Sequence, residues 1–253
     1  MSFAFFDFDK TLLHGDAGPL LGVHLFQRRR QRIDGSNPAG KAAAKKMALW
    51  TGLLPYATWM AVQTTLYKAR AVRRSTIVRS AYKGFKGVPV TVLDAVLDDF
   101  VQAELRPRIY PAMVAEMQAH AGQGRTSVIV TTGMEKLVRR CLPFFPAGTR
   151  VIGCEMEERA GRLTGRVVSG PLFGADKANI IRAYCDAAHA SAADCHAYSD
   201  HYSDHHMLDA VGHGVCINPA SRLRRLASRR GWRVLDLPDP RDAAPTQHAA
   251  AGA

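Results

Sequence analysis

A chain of 253 residues, 47% apolar and 22% charged, holds enough apolar material for a sizeable core and is not a disordered composition. Its formal net charge of +12 favours anionic partners: phosphorylated substrates, nucleic acid or an anionic membrane surface. Five cysteines, an odd number with no Cys-x-x-Cys spacing, argue against a disulfide scaffold and for a reducing compartment.

The first ten residues, MSFAFFDFDK, carry acids early and lack a basic stretch followed by a long apolar one. No signal peptide is expected, and the reading is cytoplasmic. Residues 3 to 8 are apolar apart from Asp7, which predicts a buried parallel strand. Pro19 to Arg32 reads as a helix with a basic end, followed by a turn-rich linker, IDGSNPAGK. Residues 35 to 93 hold ten Lys or Arg and no Asp or Glu, so most of the net charge lies there. Inside this region residues 47 to 67 are uncharged and close to the length of a membrane span. Pro55, Gln63 and several threonines make that stretch weakly apolar, and the favoured reading is a pair of buried helices. The other reading is an interfacial element. In it Trp50, Tyr56, Trp59 and Tyr67 rest at headgroup depth among basic residues, giving residues 41–86 peripheral contact with an anionic membrane at its inner face.

Val90 to Arg106 has helical spacing, and Pro111 to His120 is another helix. Residues 125 to 133, RTSVIVTTG, predict a strand with a glycine turn at its end, followed by a helix over 134 to 142. TRVIGCEM reads as a strand, and GRLTGRVVSGPLFG as a hairpin of two short runs around Thr164 and Gly165. A helix over Ala178 to Ala188, strands CHAYSD and GHGVCIN, a basic amphipathic helix SRLRRLASRRGW and a last strand RVLDLP complete the pattern. Strands alternating with helices predict an α/β fold, a Rossmann-like, mostly parallel sheet with helices on both faces. Residues 1–13 and 111–240 form the expected core, 14–110 an inserted helical cap, and 241–253 a flexible tail.

In a parallel α/β sheet, ligands meet the carboxyl ends of the strands. Four polar sites fall at such ends: Asp7 with Asp9, Thr131, Lys177 just before a helix, and Asp200 with Asp204. Singly each fits a cap or turn role. Together they suit transfer of a phosphoryl group, whose oxygens want cations and donors. Carboxylates alone would repel phosphate, and a bridging Mg2+ inverts that sign. Asp7 can then serve as nucleophile and Asp9 as the proton donor to the leaving oxygen and later the base for water. Thr131 and Lys177 can hold phosphoryl oxygens, and Asp200 with Asp204 can complete a metal site.

These motifs resemble the haloacid dehalogenase (HAD) superfamily of phosphatases, in its phosphoserine-phosphatase-like branch. The DxDxT motif stands as Asp7-Phe8-Asp9-Lys10-Thr11. The hydrophobic strand ending in Ser or Thr is SVIVTTG, where Thr131 takes the motif place and Thr132 is an adjacent alternative. The lysine motif is GADKANII with Lys177, and the acidic motif is YSDHYSDHHML with Asp200 and Asp204. The resemblance implies Asp7 as nucleophile, Asp9 as acid and base, and Thr131 and Lys177 as phosphate ligands. It also implies Mg2+ held by Asp7, Asp200 and the Asp9 carbonyl, with Asp204 supporting. Thr11, Asp16 and His201 are expected as supporting or substrate-facing residues. Asp16 takes the place of the branch's acidic reader of a substrate amine, and Arg79 or Lys83 is the candidate for its cap arginine. Lys10, at the variable position of the motif, reads either as a phosphate-steering cation or as a surface lysine.

His196, His201, His205 and His206 surround the acidic motif, but its acids and lysine suit a hard Mg2+ site better than zinc. The expectation is a Mg2+-dependent phosphomonoester hydrolase acting on a small or lipid-like phosphate. The alternative is a basic nucleic-acid or anionic-membrane binding protein without catalysis, using the stripe from Arg70 to Lys86. The paired acids argue against nucleic acid, since they would repel its backbone.

Overall fold

The computed structural model describes residues 2–34, 65 and 74–242. Apart from Thr65, the uncharged stretch 47–67 lies outside the described residues, and with it most of the expected membrane-contacting segment 41–86. Among the described residues no helix is long and apolar enough to cross a membrane.

The strands are β1 Phe3–Phe6, β2 Thr126–Met134, β3 Arg150–Arg159, β4 Arg162–Ser169, β5 His196–Ser199, β6 His213–Ile217 and β7 Arg233–Leu235. They form one seven-stranded sheet in the order β4-β3-β2-β1-β5-β6-β7. All pairs are parallel except β3 with β4. The chain steps from β1 toward one edge and later returns to β1's other side, so the order reverses between β1 and β5. This is the expected Rossmann-like α/β fold, and that reversal opens a crevice at the carboxyl ends of the strands.

The side-chain period of two explains why β1 has no polar face. Ala4 and Phe6 enter one core cluster, and Phe3 and Phe5 the other. The helices are α1 Ala17–Asp34, α2 Arg74–Tyr82, α3 Val90–Phe100, α4 Pro111–Gly122, α5 Glu135–Arg139, α6 Ala175–Ala187, α7 His205–Asp209 and α8 Ser221–Arg230. Leu93, Leu97 and Phe100 form one helical stripe of α3 and join Met113 and Met117 of α4 over Phe6, Phe8, Leu12 and Leu13. On the opposite face Ile181 of α6, Met207 and Leu208 of α7 and Leu223 of α8 cover Phe3 and Phe5. Truncating a residue such as Leu97 to alanine would cost about 2–5 kcal/mol.

Local chemistry sets the ends of several elements. Pro111 opens α4 at its first turn, and Gly231, left-handed at φ 69°, closes α8. The helix expected from Val90 to Arg106 is regular only to Phe100, then passes through a π turn at Val101–Leu105 and a 3-10 turn at Arg106–Arg108, where Pro107 cannot continue it. The hairpin expected around Thr164 and Gly165 is corrected. The turn is at Ala160 and Gly161, with φ of 49° and 70°, and residues 162–169 are a single strand returning along β3. Gly165 lies inside that strand in a left-handed conformation, where a Cβ would come within 3.3 Å of the Lys83 backbone. The glycine turn expected after β2 is also absent. The strand continues through Gly133 to Met134, with an irregularity in its pairing to β3 between Val130 and Met134.

Candidate active site

Phe6 stands opposite Ile129 of β2 and Tyr198 of β5, so β1 and β5 end together beside the longer β2. Asp7 keeps that register, its N–H donating to the Tyr198 carbonyl at 2.9 Å. The chain then turns tightly. The N–H groups of Thr11, Leu12 and Leu13 all point back to the Phe8 carbonyl. Phe8 itself is buried, so Asp7 and Asp9, one position to either side of it, share the opposite face. Asp9 Oδ1 accepts from the Ala17 N–H at 2.7 Å, which ties this carboxylate to the positive end of α1.

Lys177 enters from the first turn of α6 and is almost fully buried. Its Nζ lies 2.8 Å from Asp7 Oδ1 and 2.6 Å from Asp204 Oδ2. Asp204 also accepts from the Ser199 hydroxyl at 3.0 Å and the Ser203 hydroxyl at 3.2 Å. Asp200 Oδ1 lies 3.5 Å from the Thr11 hydroxyl. Thr131 is buried at the end of the Val128–Val130 run, and its Oγ1 accepts from the Gly133 N–H at 3.0 Å. A Cβ on Gly133 would sit 3.3 Å from that Oγ1 and 3.8 Å from Asp9 Oδ2, so a glycine here leaves room between hydroxyl and carboxylate. Thr132, the alternative, donates instead to the Leu172 carbonyl at 2.8 Å.

The charge balance is uneven. Burial pushes the Asp9 carboxyl up to about 7. Burial, with Asp7 and Asp204 adding to it, pushes Asp200 up to about 7 as well. Asp7 is raised by burial and by Asp204 against the pull of Lys177. Burial works the same way on Asp204, but Lys177 and the two serine hydroxyls outweigh it and hold that carboxyl low. Burial would lower Lys177, yet Asp7 and Asp204 together hold its ammonium charged.

Four buried or half-buried acids facing one buried lysine form a set of hard oxygen donors with negative charge to spare. Among the described residues no group of three or more His, Cys, Asp or Glu side chains is placed to hold a metal ion by itself. A cation that binds through one or two carboxylates and keeps several waters suits this set, and Mg2+ has that habit. Asp7, Asp200 and the Asp9 carbonyl are the groups that could hold such an ion. The histidines are otherwise engaged. His201 Nδ1 meets the Ser203 hydroxyl at 2.8 Å, His205 Nδ1 meets the Tyr202 carbonyl at 3.0 Å, and His196 lies at the far end of β5, stacked on His213.

Asp16 does not present a free carboxylate, because Lys10 Nζ lies 2.5 Å from its Oδ2. Arg79 of α2 donates to the Gly170 carbonyl at 2.7 Å, and Lys83 lies against Gly165 of β4. Reading the chain alone missed Ser199 and Ser203, although the repeated Ser-Asp in YSDHYSD was a usable signal. It also missed the brace behind Thr131. There Glu135 accepts from the Gly153 N–H at 2.9 Å, and Gly153 passes so close that a Cβ would lie 3.0 Å from Thr131 Cγ2.

Acids from distant parts of the chain are thus gathered with a buried lysine at the reversal of a doubly wound sheet, the place where α/β enzymes bind their ligands. The chain belongs to the haloacid dehalogenase-like hydrolases, whose family model matches residues 4–209, and it is an enzyme of the phosphatase type. It is 29% identical over 244 residues to a Mycobacterium tuberculosis protein named phosphoserine phosphatase SerB1, covering 95% of this chain and 72% of that one. A Bordetella pertussis protein of unknown function shares its fold with a TM-score of 0.71 at 22% identity, covering 93% and 98% of the two chains. A structure described as a phospho-aspartyl intermediate analogue of phosphoserine phosphatase shares it with a TM-score of 0.60 at 13% identity, covering 93% and 92%.

Proposed function

We propose that this protein hydrolyses small phosphomonoesters through an aspartyl-phosphate on Asp7. The observation that carries the reading is the Lys177 ammonium between Asp7 and Asp204, beside an Asp9 whose carboxyl titrates near 7. Lys177 holds Oδ1 of Asp7, which orients the other oxygen toward an incoming phosphorus. As an oxygen of Asp7 bonds to phosphorus and the P–O bond to the alcohol breaks, protonated Asp9 gives its proton to the leaving oxygen. Asp9, now ionised, takes a proton from water, the water oxygen attacks the phosphorus, and the bond to Asp7 breaks to release phosphate. A carboxyl near 7 is suited to both halves, since it exchanges its proton readily at neutral pH. Lys177 and the Thr131 hydroxyl hold the phosphoryl oxygens.

Mg2+ would be held by Asp7, Asp200 and the Asp9 carbonyl, with Asp204 fixing the arrangement through Lys177. When bound it supplies positive charge that offsets the repulsion between carboxylate and phosphate. The helices between residues 14 and 110 act as a cap over the crevice, with the core in 1–13 and 111–240. The cytoplasm suits five thiols that are free and buried. The test is release of phosphate from p-nitrophenyl phosphate. It should need Mg2+ and vanish in Asp7→Asn, and metal-independent release that survives this change would refute the reading.

A further inference from the structure

We propose that the Lys10–Asp16 ion pair selects against phosphomonoesters whose alcohol carries an ammonium group, and so directs the site to alcohols with hydroxyl or hydrocarbon tails. This deepens the phosphomonoesterase reading and rests on it.

The pair is held in place from both ends. Lys10 takes a left-handed conformation at φ 56°, uncommon for a side chain of its size, and its N–H donates to the Gly15 carbonyl at 3.1 Å. The loop therefore closes between residues 10 and 15. On the other side of Asp16, the Ala17 N–H is fixed to Asp9 Oδ1 at 2.7 Å. These backbone bonds hold residues 10 and 16 near one another, and Lys10 Nζ lies 2.5 Å from Asp16 Oδ2. Both side chains are about half exposed, so the pair lies at the solvent side of the site. It also borders the acids inside, since Asp9 and Asp200 act on the Lys10 charge and Asp16 acts on Asp9.

Its position decides what it meets. With a phosphoryl group at Asp7 and its leaving oxygen at Asp9, we take the alcohol to leave on the exposed side of Asp9, where the half-exposed Lys10–Asp16 pair lies. An unbalanced carboxylate there would attract a substrate ammonium. Here the chain supplies that cation itself. A second ammonium must displace Lys10 from Asp16 and then lie beside it, like charge against like. A neutral tail displaces nothing, and a hydroxyl can bond to either member of the pair.

The experiment compares O-phosphoethanolamine with n-propyl phosphate, which replaces its ammonium by a methyl group. It uses the full chain with Mg2+ at low ionic strength. Specificity is read as the ratio of kcat/KM for the two esters, each normalised to the same protein's rate on p-nitrophenyl phosphate, so partial loss of folded enzyme cancels. The native enzyme should prefer propyl phosphate. Lys10→Met should shift the ratio toward phosphoethanolamine by about fivefold, the scale of one partly exposed pair. The shift should disappear in the double variant Lys10→Met/Asp16→Asn and shrink in about 0.5 M salt. A native preference for phosphoethanolamine would mean that Lys10 swings away from Asp16 when substrate binds, and would overturn the proposal. An unchanged ratio in Lys10→Met would do the same. Absence of p-nitrophenyl phosphate hydrolysis in the native enzyme is a different failure, that of the phosphomonoesterase reading, and it takes this inference with it.

Discussion

The Lys177 ammonium lies 2.8 Å from Oδ1 of Asp7 and is almost wholly buried, so the nucleophile candidate and its cation are held together out of water. Breaking a buried pair by removing one member leaves the other charge uncompensated, at a cost of about 3–5 kcal/mol. Lys177→Met should therefore destabilise the protein by about that much at pH 8. The sign of the pH dependence follows from Asp204. Its folded carboxyl is held low, so its contribution is present above the unfolded carboxylate range and is lost as pH falls through the folded value. The deficit of the variant should shrink only as pH falls below the ordinary carboxylate value of 3.8, as read by urea denaturation across pH. A deficit independent of pH would contradict the charge argument.

Asp200 behaves in the opposite sense. Its folded carboxyl, near 7, lies above the ordinary 3.8, so the folded state binds the proton more tightly. The stability this gives is complete below about pH 4 and is lost as pH rises toward 7. In chelator at pH 8, Asp200→Asn should be more stable than the native protein, with an upper bound of about 4 kcal/mol. Magnesium should reverse the order. At a hundred times its Kd it should stabilise the native protein by about 2.7 kcal/mol and the variant far less. Thermal melts with and without Mg2+ at pH 5.5 and 8 test this, and an equal Mg2+ shift in both proteins would remove Asp200 from the metal site.

At the opposite end of β5, His196 lies between a tilted His120 ring and a stacked His213 ring, with centroids 4.6 and 4.4 Å away. Burial, the two neighbouring imidazoles and Arg125 push its imidazole down to about 4. The unfolded histidine titrates near 6.5, so the unfolded state binds more protons between these values. Stability should fall as pH drops from about 6.5 toward 4. His196→Gln should flatten that slope without changing the Mg2+ response. Equal acid slopes in the two proteins would contradict this.

Gly153 offers a purely steric prediction. A Cβ there would lie 3.0 Å from both the Glu135 Cα and Thr131 Cγ2, and the first of these is backbone that cannot swing away. Gly153→Ala should cost about 1–3 kcal/mol and also lower turnover, because the strain is delivered directly to Thr131. Unaltered stability and turnover would mean that the packing behind Thr131 is looser than it stands.

Much of this architecture was legible in the chain. The run before Asp7 is apolar on every position because β1 is buried on both faces, and the polar residues at strand ends stand out against such runs as a set. Other features were not legible because three-dimensional contacts decide them. Gly165 reads as a turn residue, yet it is needed where β4 passes close to Lys83. The real turn uses Ala160 at positive φ, which its residue type does not announce. Lys10 likewise gives no sign in sequence of a left-handed backbone or of its partner Asp16. Ser199 and Ser203 look like ordinary loop hydroxyls until Asp204 is seen accepting from both.

The central claim is that phosphorus becomes covalently attached to Asp7. Rapid acid quench of the enzyme turning over p-nitrophenyl phosphate, followed by peptide mass analysis, tests it directly. An added phosphoryl group on the peptide containing Asp7, labile to hydroxylamine, enriched in Asp9→Asn and missing in Asp7→Asn, is the expected result. Phosphate release that continues in Asp7→Asn, or a phosphoryl group found on another residue, would contradict it.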